Sequence, residues 1–139
     1  MVVQDKREEK TCCFYVSDFH LEMILVPYIN EKINENITIL TDRNLKETVK
    51  VLISKINLKE ENKEKILNLG WDGEEKIKEN SNIIIIGTKE YIKNKNEEIK
   101  DRNIISILDC YDFEEEKNNM EEIVKQYKNT LNTLGKNSF

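Results

Sequence analysis

The stretch Ile83-Ile84-Ile85-Ile86-Gly87-Thr88 decides the fold. Four successive β-branched residues without polar alternation describe a strand covered on both faces, the habit of a parallel sheet. Cys12-Cys-Phe-Tyr-Val16, Ile37-Thr-Ile-Leu40 and Ile104-Ile-Ser-Ile-Leu108 repeat the pattern. Each run is followed by polar turn residues and then by helical periodicity. Leu45, Val49, Leu52, Ile53 and Ile56 share one helix face. Asn44 with Glu47, Asn57 with Glu60, and Asp112 with Glu115 have capping-box spacing.

A first helix over about 19–35 carries Leu21, Ile24, Leu25, Tyr28, Ile29 and Ile33, with Pro27 expected to kink or split it. A third helix is expected to stop at Gly70, and a short helix is allowed around Gly73–Glu79. Met120, Ile123, Val124, Tyr127, Leu131 and Leu134 predict a long last helix ending near Gly135. The sum is an α/β three-layer domain, Rossmann-like or flavodoxin-like. Its sheet is small, mostly parallel and four-stranded, with helices on both faces. The favoured strand order is 2-1-3-4, with strands 1 and 3 flanking the switch point. The 139 residues form a single domain, with 1–10 and 136–139 expected to fray.

Composition narrows the function classes. The net charge is −5, and the basic residues are mostly Lys interleaved with Glu along helices. That is a solvated face rather than a nucleic-acid stripe. No run reaches the roughly 20 apolar residues of a membrane span, and the charged opening Met1–Lys10 is unlike a signal peptide. A cytoplasmic protein is expected. Cys12, Cys13 and Cys110 cannot all pair, and none has C-x-x-C spacing, so they read as free thiols in a reducing compartment. Alanine is absent, while Ile, Asn and Lys abound. Such a bias fits an AT-rich coding genome, so Lys and Asn abundance carries no functional signal.

In open α/β sheets, ligands bind beyond the carboxyl ends of the strands. That edge is expected to gather Ser17, Asp18 and His20 after strand 1, Asp42 after strand 2, Gly87 and Thr88 after strand 3, and Asp109 after strand 4. These are the candidate ligand-binding residues. The same residue types also serve as helix caps, and that plainer use is favoured. Asp18-Phe19-His20 follows strand 1 as the opening metal motif of calcineurin-like metallophosphoesterases does. His20 is the only histidine, however, so that family's later His ligands cannot be supplied. No phosphate-binding glycine motif is present, and Asp109 beside Cys110 would raise the pKa of its thiol. No metal, cofactor or catalytic residue is assigned. Trp71, in a turn, with Tyr127 and Leu131 on the last helix, are the candidate partner contacts.

Phe14-Tyr15, Glu22 and Pro27-Tyr28-Ile29 ahead of a strand at Ile37 resemble the opening of MEDS-type sensory domains, over about residues 12–42. Those domains are degenerate RecA-like α/β folds linked to signal sensing in bacterial regulators. The glycines usual near the end of that helix are replaced by Lys32 and Asn36. The resemblance implies a non-catalytic nucleotide-type fold and transfers no site residue. The expectation is a non-catalytic binding or regulatory module acting through a protein partner or a small molecule. One alternative is a Mg²⁺-dependent phosphoryl-type enzyme or nucleotide-binding protein using Asp18, Asp42, Asp109 and Thr88. Another is a structural homodimer organised by the last helix.

Overall fold

The computed structural model describes residues 10–138, with side-chain surroundings over 10–136. The chain runs β1 (Lys10–Tyr15), α1 (Asp18–Glu31), β2 (Asn36–Thr41), α2 (Lys46–Lys55), α3 (Glu60–Leu67), β3 (Ser81–Ile86), α4 (Lys89–Ile99) and β4 (Ile104–Asp112). Then follow α5 (Phe113–Glu116), a 3₁₀ turn, α6 (Met120–Val124), β5 (Asn129–Asn132) and β6 (Gly135–Ser138).

The class is α/β with a mostly parallel sheet, but the sheet has six strands rather than four, in the order β2-β3-β4-β1-β5-β6. The expected order 2-1-3-4 is therefore corrected: β4 separates β1 from β3, and β1 lies between β4 and β5. Among the described residues, only the β5–β6 hairpin is antiparallel.

The largest correction falls at the end of the chain. The apolar stripe expected to make one long helix is divided among α6, a turn and β5, because Thr11 to Cys13 of β1 pair with Asn129 to Leu131. A free β1 edge is thereby covered, which relieves its unpaired amides. The helix expected to organise a homodimer does not form as one element. Of the ends expected to fray, residues 1–9 and 139 lie outside the described residues, whereas Lys10 opens β1 and 136–138 pair in β6.

Strand alternation divides the core into two layers. Ile84 and Ile86 join Cys13, Tyr15 and Leu108 beneath α1, α2 and α3, while Ile83 and Ile85 join Cys12 and Ile107 beneath α4 and α6. Cys12 and Cys13 thus point to opposite faces, as adjacent strand residues must. Pro27 occupies an exposed position of α1, which continues unbroken over Asp18–Glu31. The short helix allowed around 73–79 is absent. That segment instead runs beside β2: Glu75 Oε2 accepts the Ile39 amide at 2.9 Å, and the Lys78 amide donates to Thr38 Oγ1 at 3.1 Å. A carboxylate thus satisfies an edge amide of β2 that no neighbouring strand could reach. No helix of the described residues is long and apolar enough to cross a membrane.

Candidate functional site at the carboxyl edge

The helices after β1 and β2 lie on one face, and those after β3 and β4 on the other. Chain connections therefore diverge between β2 and β3 and again between β4 and β1, the kind of place where α/β sheets open a crevice.

Three local motifs set the loops there. Ser17 Oγ accepts the His20 amide at 3.1 Å and caps α1. Thr88 Oγ1 accepts the Tyr91 amide at 3.1 Å and caps α4. His20 turns back on its own loop, its Nδ1 accepting the Val16 amide at 3.0 Å. That bond needs a lone pair on Nδ1, so in the neutral ring the proton sits on Nε2. Ser17 and Thr88 thus follow the capping expectation, and His20 is satisfied by a backbone group.

The loops are joined by a residue that sequence reasoning did not single out. Arg43 donates to Asp18 Oδ1 from Nε at 3.1 Å and from Nη2 at 2.8 Å. Its Nη1 reaches Asp42 Oδ1 at 3.0 Å, and Nη2 also donates to the Tyr15 hydroxyl at 2.8 Å. Asp42 continues the chain of bonds, its Oδ2 accepting the Thr88 amide at 3.3 Å. Arg43 and Asp42 together thereby tie the loops after β1, β2 and β3. The planar fork of Arg suits such a multidentate role in a way a Lys ammonium does not. Burial works against the Arg43 charge, but the bonds to Asp18 and Tyr15 outweigh it and raise its pKa further. Burial also pushes the Tyr15 hydroxyl up to about 12, with Arg43 opposing.

Gly87 makes this approach possible: a Cβ there would lie 2.5 Å from the Tyr91 ring and 2.9 Å from Asp42 Oδ2. Thus Ser17, Asp18, His20, Asp42, Gly87 and Thr88 all lie at this edge, although β4 stands between β1 and β3.

Asp109 does not join them. It lies within β4 rather than after it, fully buried on the face of α4 and α6. There it accepts the Tyr127 hydroxyl at 2.6 Å and the Asn96 amide at 3.2 Å, with Lys10 at 3.8 Å. The strand extends past the apolar run to Asp112, whose Oδ1 caps α5 through the Glu114 amide at 2.9 Å. Asp109 and Asp112 therefore do not converge with Asp18 and Asp42. Among the described residues no three His, Cys, Asp or Glu side chains gather as a metal would require.

The expected partner contacts Trp71, Tyr127 and Leu131 are buried. The Trp71 Nε1–H donates to the Ile66 carbonyl at 2.7 Å, so this side chain locks the end of α3 to the core. Tyr127 and Leu131 are held inside by Asp109 and by β1.

Beside the Arg43 cluster sits a second unexpected group. Glu22, one turn beyond Asp18 in α1, is fully buried, and its Oε1 has no hydrogen-bond partner among the described residues. Its Oε2 contacts Thr48 Oγ1, which also lies 3.0 Å from the Leu45 carbonyl. A hydroxyl has one proton for two acceptors. The conflict disappears when Glu22 is protonated and donates to Thr48 while Thr48 donates to Leu45. Burial pushes the Glu22 carboxyl up to about 7, and the nearby Asp18 adds to this. Glu22 had a signal in the sequence, as a carboxylate on the apolar face of the first helix, whereas Arg43 shows there only as an arginine after a strand end, with nothing local to name its partners.

Comparison with protein-family models, curated proteins and solved structures finds no match to this chain.

Proposed function

We propose that the protein is a non-catalytic binding or regulatory module that engages a protein partner or a small ligand at the carboxyl edge of its sheet. The observation that carries this reading is the Arg43 clamp. Asp18 and Asp42 are turned onto one guanidinium rather than held open for a cation or a proton transfer. A general base needs its lone pair within reach of a substrate proton, and a carboxylate already bridged to Arg offers a poor one. Next to the clamp, Val16, Phe19 and Met23 are exposed. Phe19 and Met23 are one helical turn apart and share a side of α1. An apolar cluster rimmed by fixed charges is the usual form of a contact surface. Three unpaired thiols fit a reducing, cytoplasmic setting.

The catalytic arm is tested by incubating the chain with p-nitrophenyl phosphate and with nucleoside triphosphates plus Mg²⁺. No turnover is expected, and turnover abolished by Asp18→Ala overturns the reading. A rise in melting temperature with Mg²⁺ or nucleotide, lost in Asp18→Ala, would replace it with the Mg²⁺-dependent alternative. The binding arm compares partners retained by the immobilised chain and by a Phe19→Asp/Met23→Asp variant. A partner held only by the unaltered chain is the expected result, and equal retention by both removes this surface.

A further inference from the structure

A cavity of about 400 Å³ opens between α4 and α6, on the sheet face opposite α1. Small-molecule pockets typically span about 300–1,000 Å³. Its wall holds Lys10, Lys89 and Lys93 against a single acid, Glu97. The lining is therefore positive in a chain whose net charge is −5.

These charges are not equally available. Lys10 lies 3.8 Å from Asp109 and offsets the buried acid beneath the floor. Glu97 is engaged from outside by Lys100 at 3.7 Å. Lys89 and Lys93 make no ion pair among the described residues. They stand one turn apart on α4, so they share a side of the helix.

The floor is aromatic and rigid. The Tyr127 hydroxyl bonds Asp109 at 2.6 Å, and the Tyr111 and Tyr127 hydroxyls lie 2.6 Å apart. Tyr127 donates its one hydroxyl proton to Asp109 and so accepts from Tyr111, which fixes both rings. Their centroids are 6.2 Å apart in an edge-to-face arrangement, and Phe14 stacks on Tyr111 at 5.7 Å. Buried Ile92 and Ile123 complete the apolar lining.

We propose that this cavity binds a small organic anion, a carboxylate or phosphate group on a flat apolar body, with Lys89 and Lys93 taking the head and the tyrosine floor taking the body. The uncompensated ammonium pair supplies charge-assisted hydrogen bonds. The fixed rings supply apolar area without an ordering cost at the moment of binding. This site is separate from the Arg43 edge and stands or falls independently of it.

The test is a titration of the isotopically labelled full chain, followed by amide chemical shifts. The probes are phenyl phosphate, benzoate, inorganic phosphate and benzyl alcohol. Saturable shifts in residues 89–96 and 123–127 are expected with phenyl phosphate or benzoate, and the stronger of the two identifies the head group. Inorganic phosphate and benzyl alcohol, each carrying half of the chemistry, are expected to bind more weakly. Lys89→Glu/Lys93→Glu, both at exposed positions, is expected to weaken the better probe at least about tenfold, the loss of about one charge-assisted contact. Lys89→Gln/Lys93→Gln should give a smaller loss in the same direction. Absence of saturable shifts up to about 10 mM probe overturns the proposal. Equal binding by benzyl alcohol, or full affinity in the charge-reversed variant, overturns it too.

Discussion

Replacing Glu22 with Gln should make the protein more stable, and by an amount that depends on pH. Glu22 is fully buried between α1 and α2, with one carboxyl oxygen unpartnered among the described residues. Burial raises its pKa from an ordinary 4.5 to about 7. At about 1.4 kcal/mol per pH unit, that rise corresponds to about 3 kcal/mol of linkage. Because the folded-state pKa is raised, the native state binds the proton more tightly than the unfolded chain does. The associated stability is fully present below 4.5 and is lost as pH rises toward about 7. Gln has nearly the same shape, can donate from its amide to Thr48, and does not titrate.

The difference in stability between Glu22→Gln and the unaltered protein should therefore be near zero at about pH 4 and reach about 3 kcal/mol at about pH 8.5. In a chain of this size that is roughly 10 °C in melting temperature. Urea unfolding at both pH values, followed by fluorescence of the single Trp71, measures it directly, since that side chain is fully buried when folded. Comparing the two proteins at each pH cancels the titration of every other group. Equal stabilities at high pH, or a variant less stable than the parent there, would refute the reasoning that the carboxyl is held neutral by burial.

Two further outcomes follow from the fold. Glu75→Ala should destabilise the protein by about 1–3 kcal/mol, since it strips a part-buried acceptor from two backbone donors. Glu75 Oε2 accepts both the Ile39 and the Gly70 amides at 2.9 Å, and Lys78 pairs with Oε1 at 2.8 Å. Urea melts check the magnitude, and a loss below about 0.5 kcal/mol, typical of surface changes, would show that the edge of β2 does not depend on it. The thiols should be silent in the native state. All three are fully buried, and burial pushes Cys12 up to about 12 and Cys110 well above its ordinary value. A thiol-reactive disulfide reagent at about pH 8 should therefore react only at the rate of unfolding, because the thiolate is the reactive form. Rapid labelling of any thiol in the folded protein would contradict this.

The residues that were legible from sequence are those whose partners lie within one turn of chain. Ser17, Thr88 and Asp112 cap helices because each needs only an amide two or three residues ahead. Leu45, Val49, Leu52 and Ile53 line the core because helical periodicity repeats locally. Asn57 with Glu60 shows the limit of that logic, since the cap of α3 falls at Lys59 and uses no side chain. Arg43 was not legible as a hub, because its partners Asp18 and Tyr15 lie 25 and 28 residues earlier. No spacing rule encodes such a meeting.

What the sequence by itself determined is the alternation of four apolar strands with amphipathic helices, and so an α/β sheet covered on both faces. Burial of each run and the period of each helix are written in consecutive residues, and that is enough to choose the class. Tertiary structure alone decided the order of the strands, the placement of Asp109 on the far face, and the conversion of 129–138 into a hairpin. Asn129–Asn132 and Gly135–Ser138 contain a single strongly apolar residue, Leu131. Nothing local favours a strand there. Pairing with the open edge of β1 supplies the hydrogen bonds that local propensity does not, and a preference worth about 1 kcal/mol or less per residue gives way to it.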